Sequence, residues 1–212
     1  MRKILICFVL FCLPSWVVAD PFSGFGGSIY YSKSSMDVEG FRRFTNPAYG
    51  TNGQLMGSAD GGNPGFRLGY MWHNESPDWS YVLSLKNENI DSTASVQPDL
   101  RVTAGSYTAV EAQFGKVRNN GFLYLLVEYG KLDLKAEEIS GTFNIPDREL
   151  GVFGLGLGYA HRVGKNTSIH VEWVTRIVED FEVEYIASSV SVATDRFDID
   201  LSSLNIGLTY RF

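Results

Sequence analysis

Cysteine is nearly absent from this chain, which has two among its 212 residues. Both, Cys7 and Cys12, lie in the apolar run that follows the N-terminus. If that segment is removed on export, the remaining chain has no cysteine, which excludes disulfides and thiolate metal sites as sources of its stability. Histidine is almost as scarce, with three residues, so few side chains are candidates for a histidine-based catalytic or metal site.

The first nineteen residues have the composition of a secretory signal peptide. Arg2 and Lys3 form a short basic start, an apolar run extends from Ile4 to Leu13, and the segment ends on Val17, Val18 and Ala19. The sequence therefore predicts a signal peptide at residues 1–19 and one mature domain at residues 20–212. Removing Arg2 and Lys3 leaves 16 Lys and Arg against 24 acids, a net charge of −8, which disfavours nucleic acid as a partner.

Beyond residue 19 the chain also lacks any run of about 18 consecutive apolar residues, the length that a membrane helix needs. Period-two alternation of apolar and polar residues instead indicates eight strands. They are expected near residues 22–33, 64–73, 78–89, 101–116, 121–136, 149–163, 167–182 and 195–212. No window of similar length favours a helical period, so the chain is predicted to be all-β.

The connections between these strands alternate between long and short. Those at 74–77, 117–120 and 164–166 are short, whereas 34–63, 90–100, 137–148 and 183–194 are long. This rhythm is typical of an eight-stranded antiparallel up-and-down transmembrane β-barrel with short periplasmic turns and long extracellular loops. A closed barrel is also the only sheet that satisfies all its backbone groups in lipid.

One face of each predicted strand is apolar, as expected of a surface covered by lipid. In the fifth strand this face carries Leu123, Leu125, Val127 and Tyr129. Aromatic residues cluster where the strands meet the short turns and predict one half of an interfacial girdle. The girdle is predicted to comprise Trp72, Trp79, Phe114, Tyr159 and Phe212.

The opposite faces carry small and ionisable residues, which suits the interior of a barrel too narrow for a water column. Buried charges persist only when they are paired, so we expect a salt-bridged network that plugs the lumen. Its predicted members are Arg67, Lys86, Glu111, Glu128, His170, Glu172, Arg176 and Arg211. His170 and Glu172 would also suit a metal site or a general base, but no third ligand is identifiable, so no metal, cofactor or catalytic residue is predicted.

The last strand departs from simple alternation near Ser202 and Ser203. Before them the apolar residues are odd-numbered, from Phe197 to Leu201, and after them they are even-numbered, from Leu204. The switch predicts either a β-bulge or the level at which this strand leaves the bilayer. A soluble lipocalin-like barrel is the competing fold, but it needs an apolar interior and a polar exterior, opposite to the pattern of the other predicted strands.

The chain resembles the small outer-membrane β-barrels of Gram-negative bacteria, a group that includes opacity proteins and OmpA/OmpX-like barrels. The resemblance covers the whole mature chain and rests on GFGGSIYYS at 24–32, GLGLGYAHR at 154–162 and LNIGLTYRF at 204–212. It implies an outer-membrane location and contact with membrane lipid and lipopolysaccharide. It also implies that Leu208, Tyr210 and Phe212 form the signal read by the barrel-assembly machinery.

A plugged lumen predicts that function lies at the surface, as an antigen, adhesin or structural outer-membrane protein. The longest predicted loop, Met36–Asn63, offers candidate contacts for a host or other extracellular ligand. These are Phe41, Arg42, Arg43, Phe44 and Tyr49. The alternative function is a narrow porin-like channel for ions or small solutes.

Lipid A deacylases and palmitoyltransferases also use small barrels, which makes a lipid A-modifying enzyme a third possibility. A deacylase needs a lipid-facing histidine in the outer leaflet. His73 and His161 border short turns and His170 faces inward, so the sequence disfavours an enzyme.

Overall fold

The computed structural model describes residues 23–48, 50–74, 78–97, 100–138, 145, 147–187 and 190–212. These residues form nine antiparallel strands: β1 (Gly24–Phe44), β2 (Gly53–Asn74), β3 (Trp79–Gln97), β4 (Leu100–Arg118), β5 (Gly121–Glu138), β6 (Arg148–Arg162), β7 (Thr167–Val178), β8 (Phe181–Ala187) and β9 (Val190–Arg211). No helix among them is long and apolar enough to cross a membrane. The predicted signal peptide, residues 1–19, lies outside the described residues.

Eight of these strands close into a barrel. β1 to β7 pair in chain order, β7 pairs with β9, and β9 pairs back with β1. The short β8 pairs with β9 and forms a hairpin beyond the end of β7. The predicted eight-stranded antiparallel up-and-down barrel is therefore confirmed.

The two ends of the barrel differ in their connections. We call the end with the turns at 119–120 and 163–166 the short-turn end, and the opposite end the far end. The strands reach further toward the far end than predicted, because β1 continues to Phe44 and β2 already begins at Gly53. Most of the 34–63 segment, predicted as a loop, is thus paired sheet. The predicted boundaries of the other long loops at 90–100, 137–148 and 183–194 were wrong in the same direction.

Strand length shows that the barrel is much taller than a bilayer. A tilted strand crosses the membrane with about 9–11 residues, whereas β1 has 21, β2 has 22 and β9 has 22 residues. About half of each of these strands therefore lies beyond the membrane-crossing length.

An apolar outer belt surrounds the half of the barrel nearest the short-turn end. Its exposed side chains include Ile29, Phe66, Leu68, Tyr70, Trp72, Tyr81, Leu83, Leu85, Val110, Phe114, Leu123, Leu125, Val127, Tyr129, Phe153, Leu155, Leu157, Tyr159, Ile169, Val171, Trp173, Leu204, Ile206, Leu208, Tyr210 and Phe212. A soluble surface rarely exposes so large a contiguous apolar area. The belt has the character of a lipid-facing surface.

Polarity inverts in the half nearest the far end. There the outward residues of β5 are Lys131, Asp133 and Lys135, while the inward ones are Leu132 and Leu134, both buried. Inward residues of all nine strands contribute to an apolar cluster, which we call the far core. It includes Met36, Val38, Leu55, Ile90, Leu100, Val102, Leu132, Leu134, Ala136, Phe181, Val183, Phe197, Ile199 and Leu201, together with Leu150, Val152 and Val178 at the upper edge of β6 and β7. The far half is thus built like a soluble barrel, with its hydrophobic core inside.

The switch at Ser202 and Ser203 arises from this inversion. β9 pairs with β1 and with β7 in unbroken register through both residues, which excludes a bulge. Odd-numbered residues face inward on both sides of the switch, as Leu201 and Asn205 do. The side-chain orientation is therefore unchanged, and the surroundings of each face change instead. In the far half the inward residues of β9 lie in an apolar core, whereas at the level of the belt the outward residues are apolar.

Candidate functional site

The lumen inside the outer belt holds a cluster of charged side chains. We call it the ion-pair cluster, and it comprises Arg67 of β2, Lys86 and Glu88 of β3, Glu111 of β4, Glu128 of β5, and Glu172 and Arg176 of β7. Each is at most 6% exposed. Strand alternation places all of them inward, and register brings them to one level, since Arg67 pairs with Lys86 and Glu111 with Glu128.

Arg67 joins two carboxylates from opposite sides of the lumen. Its Nη1 and Nη2 donate to the two oxygens of Glu172 at 2.8 and 2.7 Å, and Nη2 also donates to Glu111 at 2.9 Å. The paired contact with Glu172 has the bidentate geometry that makes Arg–carboxylate interactions strong. Arg67 therefore ties β2 to β7 and to β4 through the interior.

Arg176 and Lys86 form a second set of contacts with Glu88 and Glu128. Lys86 Nζ lies 3.0 Å from Glu128 and 3.6 Å from Glu88, while Arg176 Nη2 lies 2.8 Å from Glu88. Arg176 Nε also donates to Glu128. Lys86 lies 4.0 Å from Glu111 as well, which joins the two sets into one network.

Neutral polar side chains donate further hydrogen bonds to the charged groups of the cluster. The Tyr30 hydroxyl donates to Glu88 at 3.0 Å, the Tyr124 hydroxyl to Glu172 at 2.6 Å, and Gln113 Nε2 to Glu111 at 2.7 Å. Arg176 stacks over the Tyr107 ring at 4.9 Å and donates to Ser203 at 2.6 Å. Such bonds are needed because buried charges in a low-dielectric site are stable only when fully hydrogen-bonded.

Glycines on β6 make room for the cluster. A Cβ at Gly154 would lie 2.6 Å from Glu128 Cγ, and one at Gly158 would lie 2.4 Å from the Tyr124 ring. The alternating glycines of β6 therefore line the lumen opposite large side chains. No helix follows them directly, so they do not form a phosphate-binding loop.

The ion-pair cluster occupies the lumen inside the outer belt, and the far core occupies the lumen in the half nearest the far end. Arg176, Tyr107 and Lys86 are among the largest fully buried side chains in the membrane half, as are Phe197 and Met36 in the far half. The interior of an eight-stranded barrel is narrow enough for side chains to fill most of it. The geometry therefore supports a tightly packed interior at both levels.

Two predicted members of the network lie next to the cluster. His170 Nδ1 forms a hydrogen bond with the Thr209 hydroxyl at 3.2 Å, and its ring meets Tyr30 edge-on at 6.3 Å. Arg211 is 9% exposed and lies nearer the short-turn end, where it pairs with Gly26. Among the described residues, no group of three or more His, Cys, Asp or Glu side chains has the geometry of a metal site.

The predicted girdle residues lie on the outer surface near the short-turn end. Trp79 stacks on Phe114 with ring centroids 4.4 Å apart, and the Phe212 ring lies 5.4 Å from Tyr210 and 6.4 Å from Phe25. Trp72 and Tyr159 are exposed. Tyr210 and Leu208 share the outward face of β9 with Phe212, so the three predicted assembly-signal residues form one exposed stripe.

The predicted loop contacts do not form a loop. Phe41, Arg42, Arg43 and Phe44 all belong to β1, and Tyr49 lies outside the described residues. Arg42 was wrongly predicted to be exposed, because strand alternation turns it inward, where it pairs with Asp195 at 2.7 Å. Phe44 is also half-buried and packs on the far core. Phe41 and Arg43 face outward.

Sequence reasoning missed Glu88 and the interior site around Asp195. Glu88 has the same parity as Lys86 on β3 and could have been found by extending the inward face by one more step. Asp195 is 0% exposed and accepts hydrogen bonds from Arg42 at 2.8 and 2.7 Å and from Tyr185 at 2.9 Å. The hydrogen bonds to Asp195 raise the pKa of Arg42, and burial next to Asp195 raises the pKa of Tyr185.

The closed strand pairing, the outer belt and the plugged lumen define a small eight-stranded β-barrel of the outer-membrane type. No family model matches the chain, and no curated protein sequence matches it. Its class therefore rests on its own strand pairing and surface.

Several solved structures of outer-membrane proteins have a similar arrangement of strands. Ail, the attachment invasion locus protein of Yersinia pestis, is 17% identical over 86% of this chain and 98% of that chain, with a TM-score of 0.45. Neisserial surface protein A is 11% identical over 86% and 97% of the two chains, with a TM-score of 0.46. The outer-membrane protease OmpT of Escherichia coli is 11% identical over 94% and 100%, with a TM-score of 0.48.

Proposed function

We propose that this protein is an outer-membrane β-barrel with a sealed interior that acts through the surface of its far half, as an adhesin, antigen or structural outer-membrane protein. The observation that carries the proposal is the pairing of a blocked lumen with a tall extension. The ion-pair cluster occupies the lumen inside the belt, and the far core occupies it in the far half. The extension presents polar outward faces beyond the belt. A barrel that transports solutes would not need to fill both halves.

Among the described residues, the outer surface of the far half is mostly polar but includes an exposed apolar patch. Phe41 is 48% and Met56 is 65% exposed, and they face outward on neighbouring strands, with Met56 directly opposite Glu39. Asp198 lies next to Glu39 on β9. Exposed aromatic and Met side chains are favoured at protein interfaces. This patch is our candidate contact surface for an extracellular partner.

Planar-bilayer recording on the purified, folded protein tests the sealed interior. We expect no stable conductance at moderate voltage, because ion pairs and apolar side chains occupy the lumen. A porin reconstituted under the same conditions is the positive control, because its conductance verifies that the bilayer accepts β-barrels and that channels are detected. Large, stable, porin-like conductances of the wild-type protein would contradict the proposal and favour the narrow-channel alternative.

Accessibility of inserted epitopes tests the orientation. Short turns of outer-membrane barrels face the periplasm, so we expect an epitope inserted at Gly53 to be labelled on intact cells. An epitope at Asn119, in a short turn, should be labelled only after the outer membrane is permeabilised. Labelling of Asn119 but not Gly53 on intact cells would contradict this orientation. The proposed contact surface would then face the periplasm.

A further inference from the structure

A cavity lies in the lumen between the ion-pair cluster and the short-turn end. Gly26 and Arg211 line its mouth, and Arg67 and Tyr124 line its inner end. Its volume is about 50 Å³, and a cavity needs about 10–15 Å³ to hold one water. The cavity therefore has room for a few waters or for one small ion.

Several buried polar atoms on residues around this cavity have no hydrogen-bond partner. They are Arg67 Nε, Ser84 Oγ, Ser168 Oγ and His170 Nε2, and the four side chains are between 2% and 6% exposed. Buried polar groups in folded proteins nearly always have a partner. Four unpartnered groups around one cavity indicate that the cavity holds something that hydrogen-bonds to them.

The unpartnered atoms favour an anion because they can all donate. An Arg Nε–H is a donor only, and a Ser hydroxyl can donate. His170 Nδ1 faces the Thr209 hydroxyl, which in turn lies 2.8 Å from Ser28 Oγ. When Nδ1 accepts from Thr209, the neutral ring carries its hydrogen on Nε2, which is then a donor as well.

The charges around the cavity also favour an anion. None of the described residues that line it is an Asp or a Glu, whereas two are Arg. The nearest carboxylates, Glu111 and Glu172, direct their oxygens at Arg67, Gln113 and Tyr124. A cation would find no carboxylate among the described lining residues, whereas an anion would meet N–H and O–H donors on several sides.

We propose that this cavity is a binding site for a small monovalent anion of about the size of chloride. The anion reaches it from the compartment that the short-turn end faces. It supplies the acceptor that Arg67 Nε, Ser84, Ser168 and His170 lack and links the ion-pair cluster to the mouth of the barrel.

Bromide is a suitable probe because it scatters anomalously and replaces chloride. In crystals of the folded barrel soaked in sodium bromide, we expect an anomalous peak in the cavity within hydrogen-bond distance of Ser168 and His170. In solution, ⁸¹Br NMR line broadening should saturate and should be reversed by chloride. Ser168→Ala should weaken bromide binding about tenfold, the effect expected for losing one hydrogen bond to a charged group.

Ser92→Ala is the matched control. Ser92 is a fully buried serine whose hydroxyl also lacks a partner, but it lies on the far half of β3 and does not line the cavity. Its variant should bind bromide as the wild type does. If Ser168→Ala does not fold, Ser84→Ala takes its place. Water alone in the cavity, a peak without saturable binding in solution, or equal bromide affinity in the Ser168→Ala and Ser92→Ala proteins would each overturn the proposal.

Discussion

Arg176→Met should destabilise the folded barrel by about 3–5 kcal/mol, the usual cost of removing one partner from a buried ion pair. Arg176 is 0% exposed and contacts both Glu88 and Glu128. Methionine fills much of the space but carries no charge, so Lys86 would be the only cation left in contact with these two carboxylates. The free energy of unfolding, measured by urea titration in detergent micelles, checks this expectation.

The same substitution at Arg196 is the matched control. Arg196 forms an ion pair with Asp180 at 2.5 Å, but both side chains are exposed. Exposed ion pairs contribute little to stability because water already solvates both charges. Arg196→Met should therefore unfold close to the wild-type urea concentration.

A double variant separates the loss of an ion pair from the loss of packing. Glu128→Met combined with Arg176→Met removes one charge of each sign and leaves Lys86 beside Glu88, 3.6 Å away. Replacing a whole buried pair with apolar side chains is often neutral, so the double variant should be more stable than Arg176→Met. If Arg176→Met alone unfolds at the wild-type urea concentration, the ion-pair cluster does not hold the barrel together.

The ion-pair cluster could be predicted from sequence to the extent that alternation fixes which face each residue occupies. Arg67, Lys86, Glu111, Glu128, Glu172 and Arg176 were expected inside because they alternate with belt residues, and all six are buried there. The pairs themselves could not be predicted. Which cation meets which carboxylate depends on the strand register. The register places Glu111 opposite Glu128, for example, and it is a property of the closed sheet.

The tall far half was not predicted because its polarity is inverted. On β5 the outward apolar residues are odd-numbered and end at Tyr129, whereas beyond it the apolar residues, Leu132, Leu134 and Ala136, are even-numbered and face inward. A change of parity within a strand has two physical causes, a change of environment or a bulge. On β9 the register is unbroken and the environment changes, whereas on β4 the inward parity changes between Ala104 and Tyr107 at a true register shift against β5. Sequence alone does not distinguish these two cases.

Arg42 shows the consequence for the predicted site residues. On β1 the inward residues are even-numbered, as Met36 and Val38 are, and extending that alternation reaches Arg42. The predicted first strand ends at Lys33, which places Arg42 in the predicted loop. If a strand is assumed to stop at the membrane surface, every residue beyond it is assigned to a loop and counted as free to bind a partner.

An arginine placed on the outward face of β5 should distinguish the two halves of the barrel. Leu125 lies in the outer belt at 56% exposure, and Asp133 has the same outward orientation beyond it. An arginine facing lipid near the bilayer centre costs about 2–4 kcal/mol, so Leu125→Arg should be destabilised by that amount in lipid vesicles. Asp133→Arg should remain within about 0.5 kcal/mol of the wild type, as a surface substitution does.

The two variants share a strand, a face and the introduced residue, so their difference isolates the environment. Both are measured by urea unfolding of the protein folded into vesicles, with tryptophan fluorescence as the readout. Repeating the measurement after moving the arginine to Tyr129 should give an intermediate loss, because the cost of a charge falls toward the membrane interface. Equal losses at Leu125 and Asp133 would mean that lipid covers both halves, and the inversion of polarity along β5 would then need another cause.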